Sequence, residues 1–284
     1  KYVDINTLGT ARLLDIIVDE EINIEKMVIA SSMSIYGEGE YYCSDCDSIR
    51  YPSLRDDEQM ANSEWEHSCS ECGQTLEPRG TPESKPRDST SIYAITKKDQ
   101  EEMMLTIGRA YDIPTVALRY FNIFGSRQAL DNPYTGVCAI FSSRIKNDNP
   151  PLVFEDGEQT RDFIHVSDIA RANRWAIETD AEDIAVNIGS GTPTTINEVA
   201  ETLIDLYGKS DELSPEIADG YRQGDIRHCY ADPETAAEEL GFEAEVSFEE
   251  GMRELVEWGR EQDAEDHFED AHEELEEKGL VGND

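Results

Sequence analysis

Three side chains in this sequence have the types and spacing needed to oxidise a secondary alcohol. Tyr93 and Lys97 lie four residues apart, so in a helix they share one face. An ammonium group beside a phenol favours the phenolate, which can then accept a proton from an alcohol near neutral pH. Ser32 follows a short apolar run, where its hydroxyl can hydrogen-bond the same alcohol oxygen. The Tyr-x3-Lys spacing alone is common by chance, but with this serine it predicts hydride transfer from an alcohol to a nicotinamide.

Helices and strands alternate along the part of the chain that must position these residues. Helical periodicity and continuous apolar runs give the predicted elements. In chain order these are a helix over 5–20, a strand over 26–30, a helix over 91–111, a strand over 115–119, a helix near 136–147, a pair of strands near 152–164, a helix near 167–178, a strand at 185–188, and helices near 195–207 and 247–260. Such alternation is typical of βαβ units and predicts an α/β fold with a parallel sheet.

Segment 38–88 is polar, rich in Pro and Gly, and predicted to be an insertion. It holds Cys43-x2-Cys46 and Cys69-x2-Cys72, a spacing close to that of zinc ribbons. Four thiolates suit tetrahedral zinc and leave no open coordination position, so the metal is expected to be structural. The alternative is a loop with free thiols. His67, in the same segment, is expected at the surface.

The chain is strongly acidic, with 63 acidic and 24 basic residues and a formal net charge of −39. Such a surface repels nucleic acids, and no apolar run approaches the roughly 18 residues of a membrane-spanning helix. An acidic disordered protein is one interpretation. Periodic apolar segments favour another, a folded enzyme from a high-salt cytoplasm, where ions screen the repulsion. The cytoplasmic location is expected because the first residues, KYVDINTLGT, lack the pattern of a signal peptide.

Seven stretches resemble the extended short-chain dehydrogenase/reductases, specifically their NAD-dependent nucleotide-sugar epimerases and dehydratases. In order they are Asn6-x2-Gly9-Thr10, SSMSIYG (31–37), SIYAITK (91–97), LRYFNIFG (118–125), GEQTRDFIHVSD (157–168), NIGSG (187–191) and YRQGDI (221–226). The resemblance implies a Rossmann-like doubly wound parallel sheet, with its N-terminal part missing, in residues 1–120. It further implies a smaller α/β substrate-binding region with interleaved elements over 121–260. The remaining residues, 261–284, form an acidic tail that is expected to be solvated.

The resemblance also implies roles for residues around the cofactor. Tyr93 is expected to be the catalytic base, with Lys97 as its partner and as a ligand of the nicotinamide ribose. Ser32 is expected to bind the O4 hydroxyl of the sugar and to assist proton transfer. Asn6 and Phe121 match positions that contact NAD.

Three further positions match residues that contact the nucleotide sugar. Asn122 is one of them, and Arg161 and Arg222 match arginines that hold the diphosphate and nucleoside, which suits a guanidinium fork. Dehydratases carry an Asp-Glu pair where this chain has Met33 and Ser34. The resemblance therefore implies 4-epimerisation of a UDP- or dTDP-hexose, and the four-Cys insertion is similar to the dTDP-L-rhamnose 4-epimerase-like branch. The alternatives are a 4,6-dehydratase or another oxidoreductase of this fold.

One family feature does not occur in these residues, namely the G-x-x-G-x-x-G turn that cradles the NAD pyrophosphate. A fragment of a longer protein is expected. The alternatives are a natural truncation or an inactive, zinc-bearing homologue that serves as an interaction module. The resemblance also implies a homodimer formed through a helix pair that includes residues 91–111.

Overall fold

The computed structural model describes residues 1–130, 136–218, 220–263, 266 and 281–282. The strands are β1 (Met27–Ser32), β2 (Glu40–Cys43), β3 (Ser48–Arg50), β4 (Glu77–Arg79), β5 (Thr115–Tyr120), β6 (Asn122–Phe124), β7 (Leu152–Val153), β8 (Thr160–His165), β9 (Ile184–Ile188), β10 (Pro193–Thr195), β11 (Glu216–Ile217), β12 (Tyr221–Arg222), β13 (His228–Cys229) and β14 (Val281–Gly282). The helices are α1 (Gly9–Asp19), α2 (Asp57–Ala61), α3 (Ile92–Ala110), α4 (Val137–Lys146), α5 (Val166–Glu178), α6 (Ile196–Tyr207), α7 (Glu234–Leu240) and α8 (Phe248–Arg260), with a π-helix at Val3–Leu8 and a 3-10 turn at Met33–Tyr36. Among the described residues, no helix has the length and apolar character needed to cross a membrane.

A parallel sheet with the strand order β1-β5-β9 carries helices on both faces. Side chains alternate along β1, so Met27 and Ile29 pack against α1 and α3, whereas Val28 packs on the side of α5 and α7. Thr115 pairs with Met27 at the start of the sheet. The predicted α/β fold with a Rossmann-like parallel sheet is confirmed.

A second sheet lies in the C-terminal half, with the order β10-β8-β13 and β6 beside β8. Helices α4, α6 and α8 pack together over it around a buried apolar cluster that includes Phe163, Leu203 and Leu255. The chain passes between the two sheets more than once, because α5, β9 and α7 follow residue 120 and yet belong to the first sheet.

The insertion has a small sheet of its own, with the antiparallel order β3-β2-β4. Its C-terminal end returns to the main body through a parallel bridge between Thr81 and Ala231. Gly39 donates its backbone N–H to the His228 carbonyl at 2.8 Å, so one end of the segment is tied to β13 and the other to the residues just after it.

Two details differ from the sequence expectations. The strands predicted as a pair near 152–164 do not pair with each other, because β7 joins β11 while β8 joins β6, β10 and β13. Helix α7 was not expected, since seven residues are too few to establish a helical period. Most of the predicted tail, 261–284, lies outside the described residues.

Candidate active site

The predicted proton-transfer residues come from two elements that pack together, β1 and α3. Ser32 is the buried last residue of β1, and Tyr93 lies in the first turn of α3, which Ser91 caps by accepting the Ala94 N–H at 3.1 Å. The other end of α3 lies beside the start of β5, where a Cβ on Gly108 would contact Thr115. The first turn of α3 is therefore near the carboxyl ends of the parallel strands, where open α/β sheets bind ligands.

The Ser32 hydroxyl oxygen accepts two hydrogen bonds, which leaves its proton available for donation. Both the backbone N–H and the hydroxyl of Ser34 donate to Ser32 Oγ, at 3.2 and 2.9 Å. Met33 between them is buried and packs in an apolar cluster with Phe121. Ser32 can thus donate a hydrogen bond to a ligand oxygen, and the two residues after it offer no carboxyl group.

The Tyr93 side chain is 38% exposed, and its ring packs edge-on against Tyr2 with 5.5 Å between centroids. The Thr96 hydroxyl donates to the Tyr93 carbonyl at 2.9 Å. Asn6, predicted to contact NAD, donates its Nδ2 to Thr96 Oγ1 at 3.0 Å, so it lies against α3. The N-terminal segment therefore borders the first turn of α3, where Tyr93 is partly exposed.

Lys97 follows Tyr93 by one helical turn and is half-buried. Burial lowers the pKa of its ammonium group. Within the part of the chain that the structure describes, no carboxylate pairs with it. A partly desolvated ammonium without an acidic partner fits the hydroxyls of a bound nicotinamide ribose.

A buried ion pair fixes α3 on the sheet one turn further along. Glu101 is fully buried, and the Arg119 guanidinium on β5 donates to both of its carboxylate oxygens, at 2.6 and 3.0 Å. The Ser31 hydroxyl, next to Ser32, donates to Glu101 at 2.6 Å. Burial alone would raise the pKa of Glu101, but the hydrogen bond and charge of Arg119 outweigh it and hold the pKa below its usual range.

Sequence reasoning missed this ion pair, although two signals for it were present. Glu101 continues the Tyr93–Lys97 face by four residues, and Arg119 interrupts an otherwise apolar strand. A charge at a position that the pattern marks as buried indicates a partner.

The three residues predicted to contact the nucleotide sugar meet in one cavity of about 180 Å³. It is lined by Asn122, Arg161 and Arg222, with Phe154 and Gln159 beside them. Asn122 Oδ1, Gln159 Oε1 and Arg222 Nε are buried there without hydrogen-bond partners. Since unpartnered buried polar atoms are costly, this cavity is suited to a polar ligand.

The two arginines of the cavity differ in the protein contacts that their guanidinium groups make. Arg161 donates to the Asp225 carboxylate at 2.8 Å and to the carbonyls of Ile226 and Arg227 at 2.6 and 3.0 Å. Arg222 instead lies over the Phe154 ring, 4.6 Å from its centroid. Burial lowers the pKa of Arg222, only partly offset by the charge of Asp225. Arg222 is therefore the cation that an anionic ligand would stabilise most.

The four cysteines of the insertion lie together. The sulfurs of Cys43, Cys46, Cys69 and Cys72 are all within 4.8 Å of one another, with 3.4 Å between Cys43 and Cys72 and 3.8 Å between Cys46 and Cys69. The residues that hold them are the β2–β3 turn and a tight turn closed by the Gly73 N–H on the Cys69 carbonyl.

The expectation that His67 lies at the surface was wrong. Its side chain is buried, with Nε2 3.2 Å from Glu38 Oε1 and the ring edge-on to Tyr41. Both contacts come from the start of the insertion, which the local composition around His67 does not reveal.

Comparison with known proteins places these features in a family. The model of the NAD dependent epimerase/dehydratase family matches residues 67–189. The dTDP-L-rhamnose 4-epimerase of Burkholderia thailandensis is 33% identical over 259 residues, which cover 91% of this chain and 69% of the relative. The chain belongs to the NAD-dependent epimerase/dehydratase family.

Two solved structures with this epimerase/dehydratase fold are similar to this chain. The UDP-glucose 4-epimerase of Thermotoga maritima, solved with UDP-glucose, is 29% identical with a TM-score of 0.68, covering 90% of this chain and 69% of that one. The protein MoeE5, solved with UDP-glucose and NAD, is 27% identical with a TM-score of 0.66, covering 90% and 71%.

We expect Glu101→Gln to lower the free energy of unfolding by about 3–5 kcal/mol, because it leaves the Arg119 guanidinium buried without a countercharge. Glutamine keeps the shape and an acceptor for Ser31, but its amide nitrogen replaces the oxygen that accepts from Arg119 and Arg87. The loss therefore reports the missing charge together with the bonds to that oxygen. Urea unfolding in molar KCl, followed by circular dichroism, measures it.

The matched control is Glu102→Gln, the next residue on α3, whose side chain is half exposed and pairs loosely with Arg87. Its effect should stay within about 0.5 kcal/mol. Equal, small losses in the two variants would show that the buried pair does not hold α3 in place.

Proposed function

We propose that this protein is an NAD-dependent 4-epimerase of a UDP- or dTDP-linked hexose. The observation that carries the proposal is the Ser32 hydroxyl, which is hydrogen-bonded by Ser34 so that it can only donate onward, at the strand end beside the Tyr93–Lys97 helix. The names of the relatives support the same reaction class, since those named here include 4-epimerases of dTDP-L-rhamnose and UDP-glucose.

This reaction gives a role to each of the three predicted proton-transfer residues. Ser32 donates a hydrogen bond to the sugar O4, and Tyr93 accepts the O4 proton as the C4–H bond breaks. Lys97 and Asn6 would hold NAD, which would supply reversible hydride transfer at C4. Lys97 keeps the phenolate stabilised and binds the ribose hydroxyls. After the 4-keto sugar has rotated to present its opposite face, Tyr93 returns the proton to O4. The overall reaction is therefore redox-neutral.

The cavity around Arg222 is proposed to hold the nucleoside diphosphate. A guanidinium stacked on Phe154 can bind diphosphate oxygens, and Asn122 Oδ1 and Gln159 Oε1 offer acceptors for the ligand's donor groups. Arg161 lines the same cavity while it is bonded to Asp225, and it supplies a second positive charge there.

A 4,6-dehydratase is less well supported, because elimination of water needs a carboxyl acid and base near the sugar. In this chain the residues after Ser32 are a buried Met33 and Ser34, whose hydroxyl is already donated to Ser32. Neither can protonate a leaving hydroxyl.

We expect the protein as its gene encodes it to interconvert C4 epimers of at least one of UDP-glucose, UDP-glucuronate and dTDP-L-rhamnose when NAD is added. Proton NMR of the product mixture measures this, and in D2O the C4 hydrogen should remain protium. Tyr93→Phe should lower kcat by about a hundred- to ten-thousand-fold, because it removes the proton acceptor.

The control is Tyr111→Phe, an exposed tyrosine just beyond the end of the same helix, which should keep the wild-type kcat. A 4-keto-6-deoxy product would contradict epimerisation. Full activity in Tyr93→Phe would remove Tyr93 from the reaction.

We further propose that the insertion is a zinc ribbon whose metal is structural. A tetrahedral zinc with Zn–S bonds of about 2.3 Å separates its sulfurs by about 3.8 Å, and the cysteine sulfurs are already near that spacing. Backbone N–H groups of Glu71 and Cys72 lower the pKa of the Cys69 thiol to about 6, which favours a thiolate ligand. The Arg50 guanidinium beside the cluster offsets part of the charge of four thiolates.

Anaerobically purified protein should contain one zinc per chain by mass spectrometry of the metal. Cys43→Ser with Cys72→Ser should abolish it and lower the melting temperature, because an apo-cluster leaves the two turns without their crosslink. Cys138→Ala, at a buried cysteine far along the chain, should keep the zinc. Wild-type protein without zinc would remove the proposal.

We further propose that the protein forms a homodimer and works in a high-salt cytoplasm. Apolar side chains that include Leu13, Ile16 and Ile95 are exposed on α1 and α3, where a second copy would cover them. The net charge of −39 supports the salt requirement. Light scattering across a KCl series should give twice the chain mass of 32.0 kDa only in molar KCl, with unfolding in dilute buffer. A folded monomer at every salt concentration would contradict both parts.

A further inference from the structure

One buried side chain of the insertion lies behind the wall of the Arg222 cavity, where it contacts Asp225 of that wall. Arg55 has no exposed side-chain surface and binds Glu155 through both ends of its fork, at 2.7 and 2.9 Å. It also donates to the Asp225 carbonyl at 3.2 Å and to the Trp65 carbonyl of its own segment at 3.3 Å. One guanidinium thus joins the insertion to two separate loops of the C-terminal half.

Those two loops carry three of the residues that line the cavity, namely Phe154, Arg222 and Asp225. Glu155 directly follows Phe154, the ring on which Arg222 lies. Asp225 holds Arg161 through its carboxylate while its carbonyl accepts from Arg55. Arg55 therefore bridges the Phe154 loop and the Asp225 turn. A backbone hydrogen bond from the Glu155 N–H to the Gly220 carbonyl, at 3.3 Å, supports the same arrangement.

Apolar contacts from the same segment support the turn that carries Arg222. Trp65 packs edge-on against Tyr221, the residue before Arg222, with 6.4 Å between ring centroids. Leu54 lies 4.0 Å from where a Cβ on Gly224 would be. The turn is held from the side of the insertion by two residues that flank Arg55 in space.

The ion cluster around Glu155 includes a second arginine that fixes the segment in position, because Arg227 also donates to Glu155, at 3.3 Å. Arg227, which is also buried, donates to Glu66 of the insertion at 2.6 Å and to Asp156 at 2.6 Å. Glu38 accepts the backbone N–H groups of Arg227 and His228 at 2.8 and 3.3 Å. Buried ion pairs contribute little net stability but fix one arrangement, because every other arrangement leaves a charge unpaired.

We propose that Arg55 is a positioning residue for the nucleoside-diphosphate site, so that the four-cysteine insertion sets the affinity for the nucleotide half of the substrate. The identity of the ligand rests on the proposed function. Arg55 acts through Glu155 and Asp225 on Phe154, Arg222 and Arg161. Its hydrogen bonds go to Trp65, Glu155 and Asp225 and to none of the proton-transfer residues, so we expect the proton-transfer step to be kept when Arg55 is replaced.

The test is calorimetric binding of UDP and of dTDP to the protein, without sugar or added NAD. We expect Arg55→Met to raise the Kd of the preferred nucleotide about tenfold or more. Arg55→Lys, which keeps the charge but not the two-pronged fork, should raise it by a smaller factor. In turnover assays both variants should raise KM while kcat at saturation stays within about twofold, and both should keep the metal content of the wild type.

Arg79→Met is the matched control, and it should leave the Kd unchanged. Arg79 is an exposed arginine on β4 of the same insertion that pairs with exposed Glu77 and lies over the Tyr42 ring. Should Arg55→Met fail to fold, Arg55→Lys decides the question. A folded Arg55→Lys with wild-type Kd, or one that loses kcat and not affinity, would overturn the proposal. If the wild-type protein binds neither nucleotide, the proposed function itself is wrong.

Discussion

The placement of one helix against one strand decides whether this protein can do chemistry, and a buried ion pair sets that placement. Glu101 on α3 and Arg119 on β5 are both removed from water, and each is the countercharge of the other. The same carboxylate accepts the Ser31 hydroxyl, so the residue before Ser32 is tied to the helix that carries Tyr93. Sliding or rotating α3 would leave two buried charges unpaired, which costs several kcal/mol. The helix therefore has one favourable position.

A similar principle operates in the other half of the molecule. The sugar-nucleotide cavity is formed by loops, which alone would be adaptable, and the insertion restricts them. Arg55 connects the Phe154 loop to the Asp225 turn, and Arg227 connects the same region back to Glu66. In a chain with a net charge of −39, buried arginines are the means by which acidic loops can approach one another. Arg55 lies in the same insertion as the cysteine cluster, whereas Arg227 lies just before β13.

Sequence reasoning succeeded where the signal is local. The helix with Tyr93 and Lys97, the strand that ends at Ser32, and the two Cys-x2-Cys turns each follow from a spacing of a few residues. It failed where the partner is remote. Arg55 and Glu155 are 100 positions apart, and nothing near either residue indicates the other. The same holds for His67, which is buried against Glu38 and Tyr41 near the other end of the insertion. It also holds for β7 and β8, which join different partners although they are neighbours in sequence.

The cavity residues lie between these extremes. Motif resemblance identified Asn122, Arg161 and Arg222 separately, and the structure brings all three to one cavity. The resemblance did not reveal that Arg161 is already bound by Asp225, which leaves Arg222 as the less satisfied cation.

The most direct measurement is a crystal structure of the protein, as its gene encodes it, with NAD and a UDP- or dTDP-hexose. If α3 is held as described, Tyr93 Oη and Ser32 Oγ will both lie within about 3 Å of the sugar O4. A complex in which O4 contacts other groups while the Tyr93 phenol points into solvent would contradict the account.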